Sequence, residues 1–241
     1  MAGQPDLPPN SANLKATAIL DIGHEDVRSL AESLVQSDPR DRTFLQKAHF
    51  HLAQILRPVY SVDEWQCASR TLQKKRGSCS QRMACLEAVS RAAGIPTRVR
   101  ALRVKGRFWY PRFRLSRCFI PQQVLLLWPQ FFVHDGWLDF DELYAPMAQL
   151  SARAGQRFTN DGESLFEAVR STPVDFLGKT CGLACARPEH NLAKFIVGDE
   201  GFFDTRDEAL QHFGSFQHTW RGRAFEVVFG DRKASSCRIG T

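Results

Sequence analysis

No apolar run in the 241 residues approaches the roughly 20 that a membrane-crossing helix needs; the longest, Val124 to Trp128, is strand-sized. The opening Met1-Ala2-Gly3-Gln4-Pro5-Asp6 has neither the basic start nor the apolar stretch of a secretory signal. Cysteine is sparse and odd in number, seven in all at 67, 79, 85, 118, 181, 185 and 237, which argues against a disulfide framework. These absences lead to the expectation of a cytoplasmic protein with reduced thiols. No internal repeat or low-complexity tract is visible. With 43% hydrophobic and 24% charged residues the chain has enough apolar material to bury a core, which excludes a disordered or collagen-like protein.

Acidic residues are nearly missing from one fifth of the sequence. Between Arg70 and Arg117 there are fourteen Lys and Arg against the single Glu87, a local net of +13. From Cys118 to Asp175 the balance reverses to −5. A stretch that basic suggests an anionic partner, with Arg70, Lys74, Lys75 and Arg76 as the contact residues. A solvated face of interspersed arginines accounts for the same pattern. Nucleic acid is the weaker fit, because no zinc-finger spacing, RNP-type aromatic motif or basic-helix dimer is present.

Residues 1–20, proline-rich at their start, read as a disordered tail before a single domain over 21–241. Apolar periodicity predicts helices over Asp26–Gln36, Arg42–Arg57 and Asp63–Gln73. A fourth starts near Cys79 and is stopped by Gly94 with Pro96 beyond. Strands follow at Thr97–Val104, Phe108–Phe113, Val124–Trp128, Phe131–Val133 and Trp137–Phe140, with Asp135-Gly136 as a hairpin turn. Short helices are expected at Ala145–Ser151, Glu163–Arg170 and Thr205–Phe213, and a last strand at Phe225–Phe229. Helices first and antiparallel strands afterwards make an α+β domain, with its core at 25–145 and an extension over 146–241.

Cys79 differs from the other cysteines in its position. It stands where a Gly-containing loop enters a helix, so unpaired N–H groups and the positive end of the helix dipole face its sulfur. Lys74, Lys75 and Arg76 lie just upstream. Both features favour the thiolate, which is the nucleophilic form. A small cysteine packed at a helix start is the plainer alternative.

The run Gly77-Ser78-Cys79, continuing to Arg91-Ala92-Ala93-Gly94-Ile95-Pro96-Thr97-Arg98, resembles the transglutaminase-like superfamily, whose members carry G-x-C at a helix start and an "RaaGIPaR" run entering the sheet. Trp128-Pro129-Gln130-Phe131 through Gly136-Trp137-Leu138-Asp139-Phe140-Asp141 is similar to that family's second block. The resemblance covers roughly residues 25–145. It implies a papain-like fold, Cys79 as nucleophile, Asp141 as the orienting carboxylate, and Trp128 and Gln130 as site-lining residues. It implies no cofactor and no metal.

The sequence departs from the family at the base. Two residues before Trp128, where the family has its catalytic histidine, stands Leu126, and the neighbouring registers offer only Leu125 and Leu127. Gln130 stands where Glu is usual. His134 falls at the hairpin turn, and His218-Thr219-Trp220 reproduces H-x-W far beyond the block. His49 or His51 partly faces the core, and neither belongs to a motif. Cys181 and Cys185 lack further nearby ligands and read as structural, and His190 is too isolated to change that.

Without an imidazole, a standing thiolate could still accept an acyl group from a thioester, whose thiolate leaves without a proton. An amide could not be cleaved so easily. The resemblance therefore implies a divergent cysteine acyltransferase, amide-forming in a biosynthetic pathway, with an acidic acyl carrier protein or other anionic acyl donor as partner. Two further classes stay open: an inactive scaffold of the same fold binding a peptide or anionic partner, and a nucleic-acid binder using the basic stretch.

Overall fold

The computed structural model describes residues 7–35, 42–113, 116–144, 160, 164–171, 176–177 and 192–234. Four helices come first: α1 (Glu25–Leu34), α2 (Arg42–Ile55), α3 (Ala68–Lys74) and α4 (Cys79–Ala92). Two residues each from β1 (Arg57–Pro58) and β2 (Arg76–Gly77) pair in parallel just before α4. The main sheet has the order β5-β4-β3-β6 and is antiparallel throughout, with β3 at Thr97–Lys105, β4 at Gln123–Val133, β5 at Gly136–Asp139 and β6 at Ile196–Phe203. Three further helices are α5 (Leu165–Ser171), α6 (Arg206–Phe213) and α7 (Trp220–Phe229). This is the α+β architecture expected from the order of elements. None of the described helices is long and apolar enough to cross a membrane.

Helix α4 runs through the middle of the molecule, touching α1, α2, α3 and the sheet. Every residue from Gln81 to Arg91 is buried, including Arg82 and Glu87. A helix buried on all sides carries no amphipathic stripe, and its polar members must pair with one another or with the backbone. The capping box of Ser78 and Gln81 satisfies its first turn. At its far end Gly94, at φ +85°, reverses the chain into β3.

Several sequence expectations are corrected. The first 20 residues are not a tail throughout: Ser11–Leu14 form a 3₁₀ turn, Asn13 is buried, and Ile19 and Leu20 are wholly inside the core. Apolar side chains at 19 and 20 hold the segment down, which the prolines upstream had obscured. Phe108–Phe113 belongs to a 3₁₀ segment, Gly106–Arg112, rather than a strand. The two predicted strands on either side of Pro129 are one strand, β4, in which Pro129 lies opposite Val99. Its hairpin turns on His134 and Asp135, at φ 49° and 60°, with Val133 paired to Gly136. The turn is thus one residue earlier than Asp135-Gly136 and uses two left-handed residues, as type I′ geometry requires.

Phe225–Phe229 is the last part of helix α7, not a strand. The Thr219 hydroxyl caps that helix, and Phe225 and Phe229, one turn apart, pack together on Phe113. Strand β6, which has no counterpart in the sequence reading, completes the sheet against β3 with two irregularities of register. The helix expected at Ala145–Ser151 lies outside the described residues, as do Cys181, Cys185, His190 and Cys237.

Candidate active site around Cys79

The parallel pair β1–β2 places the chain after Pro58 next to the loop that enters α4. Arg57 N–H donates to the Lys75 carbonyl at 2.9 Å and Val59 N–H to that of Gly77 at 3.1 Å. Gly77 fits because a Cβ there would meet the Thr71 methyl at 2.8 Å. From the first turn of α4, the Gln81 amide donates to the Ser61 hydroxyl at 3.1 Å and to the Asp63 carbonyl at 2.8 Å. Glu226 of α7 holds the same loop, accepting from Val62 N–H at 2.7 Å and from the Ser61 hydroxyl at 2.8 Å. Residues 59–64 are thereby fixed against the helix that Cys79 opens.

Cys79 opens onto a cavity of about 430 Å³. Its walls are mostly apolar, with Val62, Trp109, Phe113, Leu126, Phe213 and Phe216 prominent. The polar groups at its surface include Glu64, Ser78, Ser80, Arg103 and Arg112. A cavity of this size, apolar with a few polar groups, is the usual form of a small-molecule site.

The thiol itself is not the standing thiolate expected from its helix position. Burial pushes its pKa up to about 11. Arg82 opposes this and Glu167 adds to it, while Arg112 and a hydrogen bond from the Phe166 backbone oppose it more weakly. Arg82, wholly buried, is itself paired with Glu167. The lysines upstream do not supply the missing stabilisation: Lys74 and Lys75 point to solvent, and Lys74 bonds the Gln66 amide oxygen. Arg76 pairs with Asp231 at 2.8 Å. At neutral pH Cys79 is a thiol.

Leu126 and Cys79 line the same cavity, so an aliphatic side chain borders it on the strand where an imidazole was expected. The remaining residues implied by the resemblance lie elsewhere. Trp128 is wholly buried and packs edge-on against Phe140. Gln130 accepts from Arg98 Nε at 2.7 Å and donates to Asp139 at 2.8 Å, a buried chain across the sheet. Neither lines this cavity. A neutral amide at 130 can serve Arg98 and Asp139 together, whereas a carboxylate there would oppose Asp139. Asp141 is buried in the 3₁₀ turn after β5 and is also outside the cavity lining.

Among the described residues, no histidine lines the cavity. His49 is wholly buried, its ring nitrogens bonded to the Tyr144 hydroxyl at 2.8 Å and the Phe166 carbonyl at 2.6 Å. His134 and His218 are exposed.

The +13 stretch is largely consumed by the fold. Arg91 donates to four backbone carbonyls and the Thr97 hydroxyl. Arg98 lies between the Trp137 and Phe202 rings. Arg100 and Arg103 pair with Asp199 and Glu200. The acids missing from the local sequence arrive from β6.

One group that sequence reasoning missed faces the cavity. Glu64 accepts a hydrogen bond from the Ser80 hydroxyl, and Ser80 in turn accepts from Arg206 at 3.1 Å. Arg206 also pairs with the buried Glu87 at 2.6 Å and donates to the Leu127 carbonyl at 3.1 Å. Glu64 stands in a loop, outside any motif, and only its D-E dipeptide and nearby Trp65 mark it in the sequence.

A glycine-preceded cysteine opening a central helix, packed on an antiparallel sheet, agrees with the family comparison. Residues 28–142 match the model of the transglutaminase-like superfamily. The chain contains a transglutaminase-like domain. No curated protein and no solved structure gives a significant match.

Proposed function

We propose that this transglutaminase-like protein is a cysteine acyltransferase that takes an acyl group from a thioester onto Cys79 and passes it to an acceptor such as an amine. The observation that carries the reading is the position of Cys79, the first residue of a buried helix, at the surface of a largely apolar cavity of about 430 Å³. Such walls suit the acyl chain, and the sulfur lies where its carbonyl would be attacked. The loss of an imidazole at Leu126 weighs against amides, since an amine leaving group needs a proton and a thiolate does not. The donor we favour is an acidic acyl carrier protein. Arg70 and Lys74 are exposed on α3 and Lys75 just beyond its end, close in sequence to the loop that enters the nucleophile's helix, and Arg76 is half-buried beside them.

The test is mass spectrometry of the intact chain after incubation with acyl-N-acetylcysteamine thioesters. An adduct on the wild type that is lost in Cys79→Ala supports the reading. No adduct with any thioester offered would overturn it.

A second reading, an inactive scaffold, is favoured by a specific observation: a neutral thiol in a cavity lined by Leu126 and by none of the described histidines. It predicts that only Leu126→His, and not the wild type, hydrolyses an activated ester in a Cys79-dependent way.

A further inference from the structure

The thiol at Cys79 holds its proton at neutral pH, so any reaction there needs a group to receive it. The histidine of the family is absent, and among the described residues lining the cavity Glu64 is the only carboxyl; Glu167, whose charge acts on the thiol, is paired with Arg82. Its placement is not incidental. The loop carrying it is held from three sides, by β2, by Gln81 of α4 and by Glu226 of α7. Its carboxyl is oriented by the hydroxyl of Ser80, the residue after the nucleophile.

We propose that Glu64 is the proton-transfer residue of the Cys79 cavity, in place of the missing imidazole. The groups around it set its behaviour. Burial pushes its carboxyl above the usual carboxylate range, and Asp63 and Glu226 push the same way. The Ser80 hydrogen bond and the Arg206 cation act against them. A carboxyl held in this way can exchange a proton nearer neutrality than an exposed glutamate does.

The step that rests on the acyltransferase reading balances as follows. Cys79 sulfur bonds to the thioester carbonyl carbon as Glu64 carboxylate takes the thiol proton. The carbon–sulfur bond of the donor breaks, its sulfur departs unprotonated as the thiolate, and Glu64 gives its proton up to solvent. In the second half, an amine attacks acyl-Cys79, its proton passes to Glu64, and the Cys79 sulfur leaves and is reprotonated.

The experiment uses Cys79 alkylation by iodoacetamide on the full chain, read by peptide mass spectrometry between pH 5 and 11. Wild-type labelling should rise in two steps, the lower following Glu64 and the upper following the thiol. Glu64→Gln should lose the lower step and label roughly ten- to a hundredfold more slowly at pH 7. It should match the wild type near pH 11, where the thiol ionises unaided. Ser80→Ala removes an interaction that lowers the Glu64 pKa, so it should move the lower step to higher pH. It serves also if Glu64→Gln does not fold. A single step in the wild type, coincident profiles for wild type and Glu64→Gln, or a Ser80→Ala profile coincident with wild type overturns the assignment.

The two readings separate cleanly. Two-step labelling without any thioester adduct sinks the acyltransferase reading and leaves Glu64 in place. Adduct formation with single-step labelling does the reverse.

Discussion

The two ends of helix α4 are built to different standards. At the C-terminal end Arg91 places all its donor nitrogens: Nε on the Thr97 hydroxyl at 2.7 Å, and the terminal nitrogens on the carbonyls of Ala12, Lys15, Thr97 and Asp204 at 2.6–3.1 Å. That one side chain ties the N-terminal segment, α4, β3 and the chain before α6 together. At the other end the polar groups fit less well. Among the described residues, Arg82 Nε is buried without a hydrogen-bond partner, a thiol is held in an apolar setting, and a cavity adjoins. Fully satisfied burial is what stability selects, and imperfect burial of titratable groups beside a cavity is what chemistry needs. One helix is anchored at one end and presents a thiol to a cavity at the other.

The largest effect expected comes from breaking the anchored end. Arg91→Ala leaves four carbonyls from three parts of the chain short of donors and opens the space the guanidinium filled. The expected loss is about 3–5 kcal/mol, comparable to removing one partner from a buried charged network. Urea denaturation measures it. If the ends are independent, Cys79 labelling in the native baseline should stay at the wild-type rate; a parallel rise would show that the anchor also shapes the site.

His49 allows a test through pH alone. Burial, first of all, holds its pKa down at about 4, against an ordinary 6.5, with Arg82 and Arg170 acting the same way and the Phe166 carbonyl opposing. The unfolded chain therefore takes up a proton that the folded one refuses as pH falls below 6.5. Stability from this group is complete above that pH, is lost progressively down to about pH 4, and amounts to about 3 kcal/mol over the window. His49→Gln should be less stable at pH 7, having lost its bonds to Tyr144 and Phe166, yet show a flatter dependence on pH. An equally steep dependence in the variant would assign the acid sensitivity to other groups.

What could be read from the sequence follows from which interactions are local. Helices α1, α2 and α4, the stop at Gly94 and strand β3 were legible because periodicity, caps and a left-handed glycine act within a few residues. Cys79 at a helix start was legible for the same reason. Strand β6 was not, since its Gly198-Asp199-Glu200-Gly201 centre has no alternation and owes its conformation to pairing with β3. Helix α7 was misread because Val227 and Val228 favour strands, while the Thr219 cap and the packing of Phe225 and Phe229 on Phe113 decided otherwise. The basic stretch misled in another way. Charge is visible in a sequence, but Asp199, Glu200 and the carbonyls that receive Arg91, Arg100 and Arg103 are far away along the chain. The thiol's neutrality is likewise a product of burial, and Glu64 reaches the cavity only through contacts made by the folded loop.

The smallest effect expected concerns the turn that closes α4, and it sharpens the contrast between the two ends. Gly94 has φ +85°, and a Cβ built there would have nothing within 4 Å. Gly94 N–H donates to the Arg91 carbonyl at 2.9 Å, and Ile95 N–H to that of Ser90 at 2.9 Å, so the left-handed residue lets the chain cover the last carbonyls of the helix. Gly94→Val therefore costs backbone strain alone, on the order of 1–2 kcal/mol, with no steric clash to add. Gly94→Asn, which tolerates the left-handed region, should recover much of that loss. Because the strain sits more than three turns from Cys79, the pH profile of Cys79 labelling should be that of the wild type in both variants. A loss well above 2 kcal/mol would mean that the turn and the anchor at Arg91 fail together. A shifted labelling profile would mean that strain at one end of α4 is felt at the other, and the division between its anchored and cavity-facing ends would have to be given up.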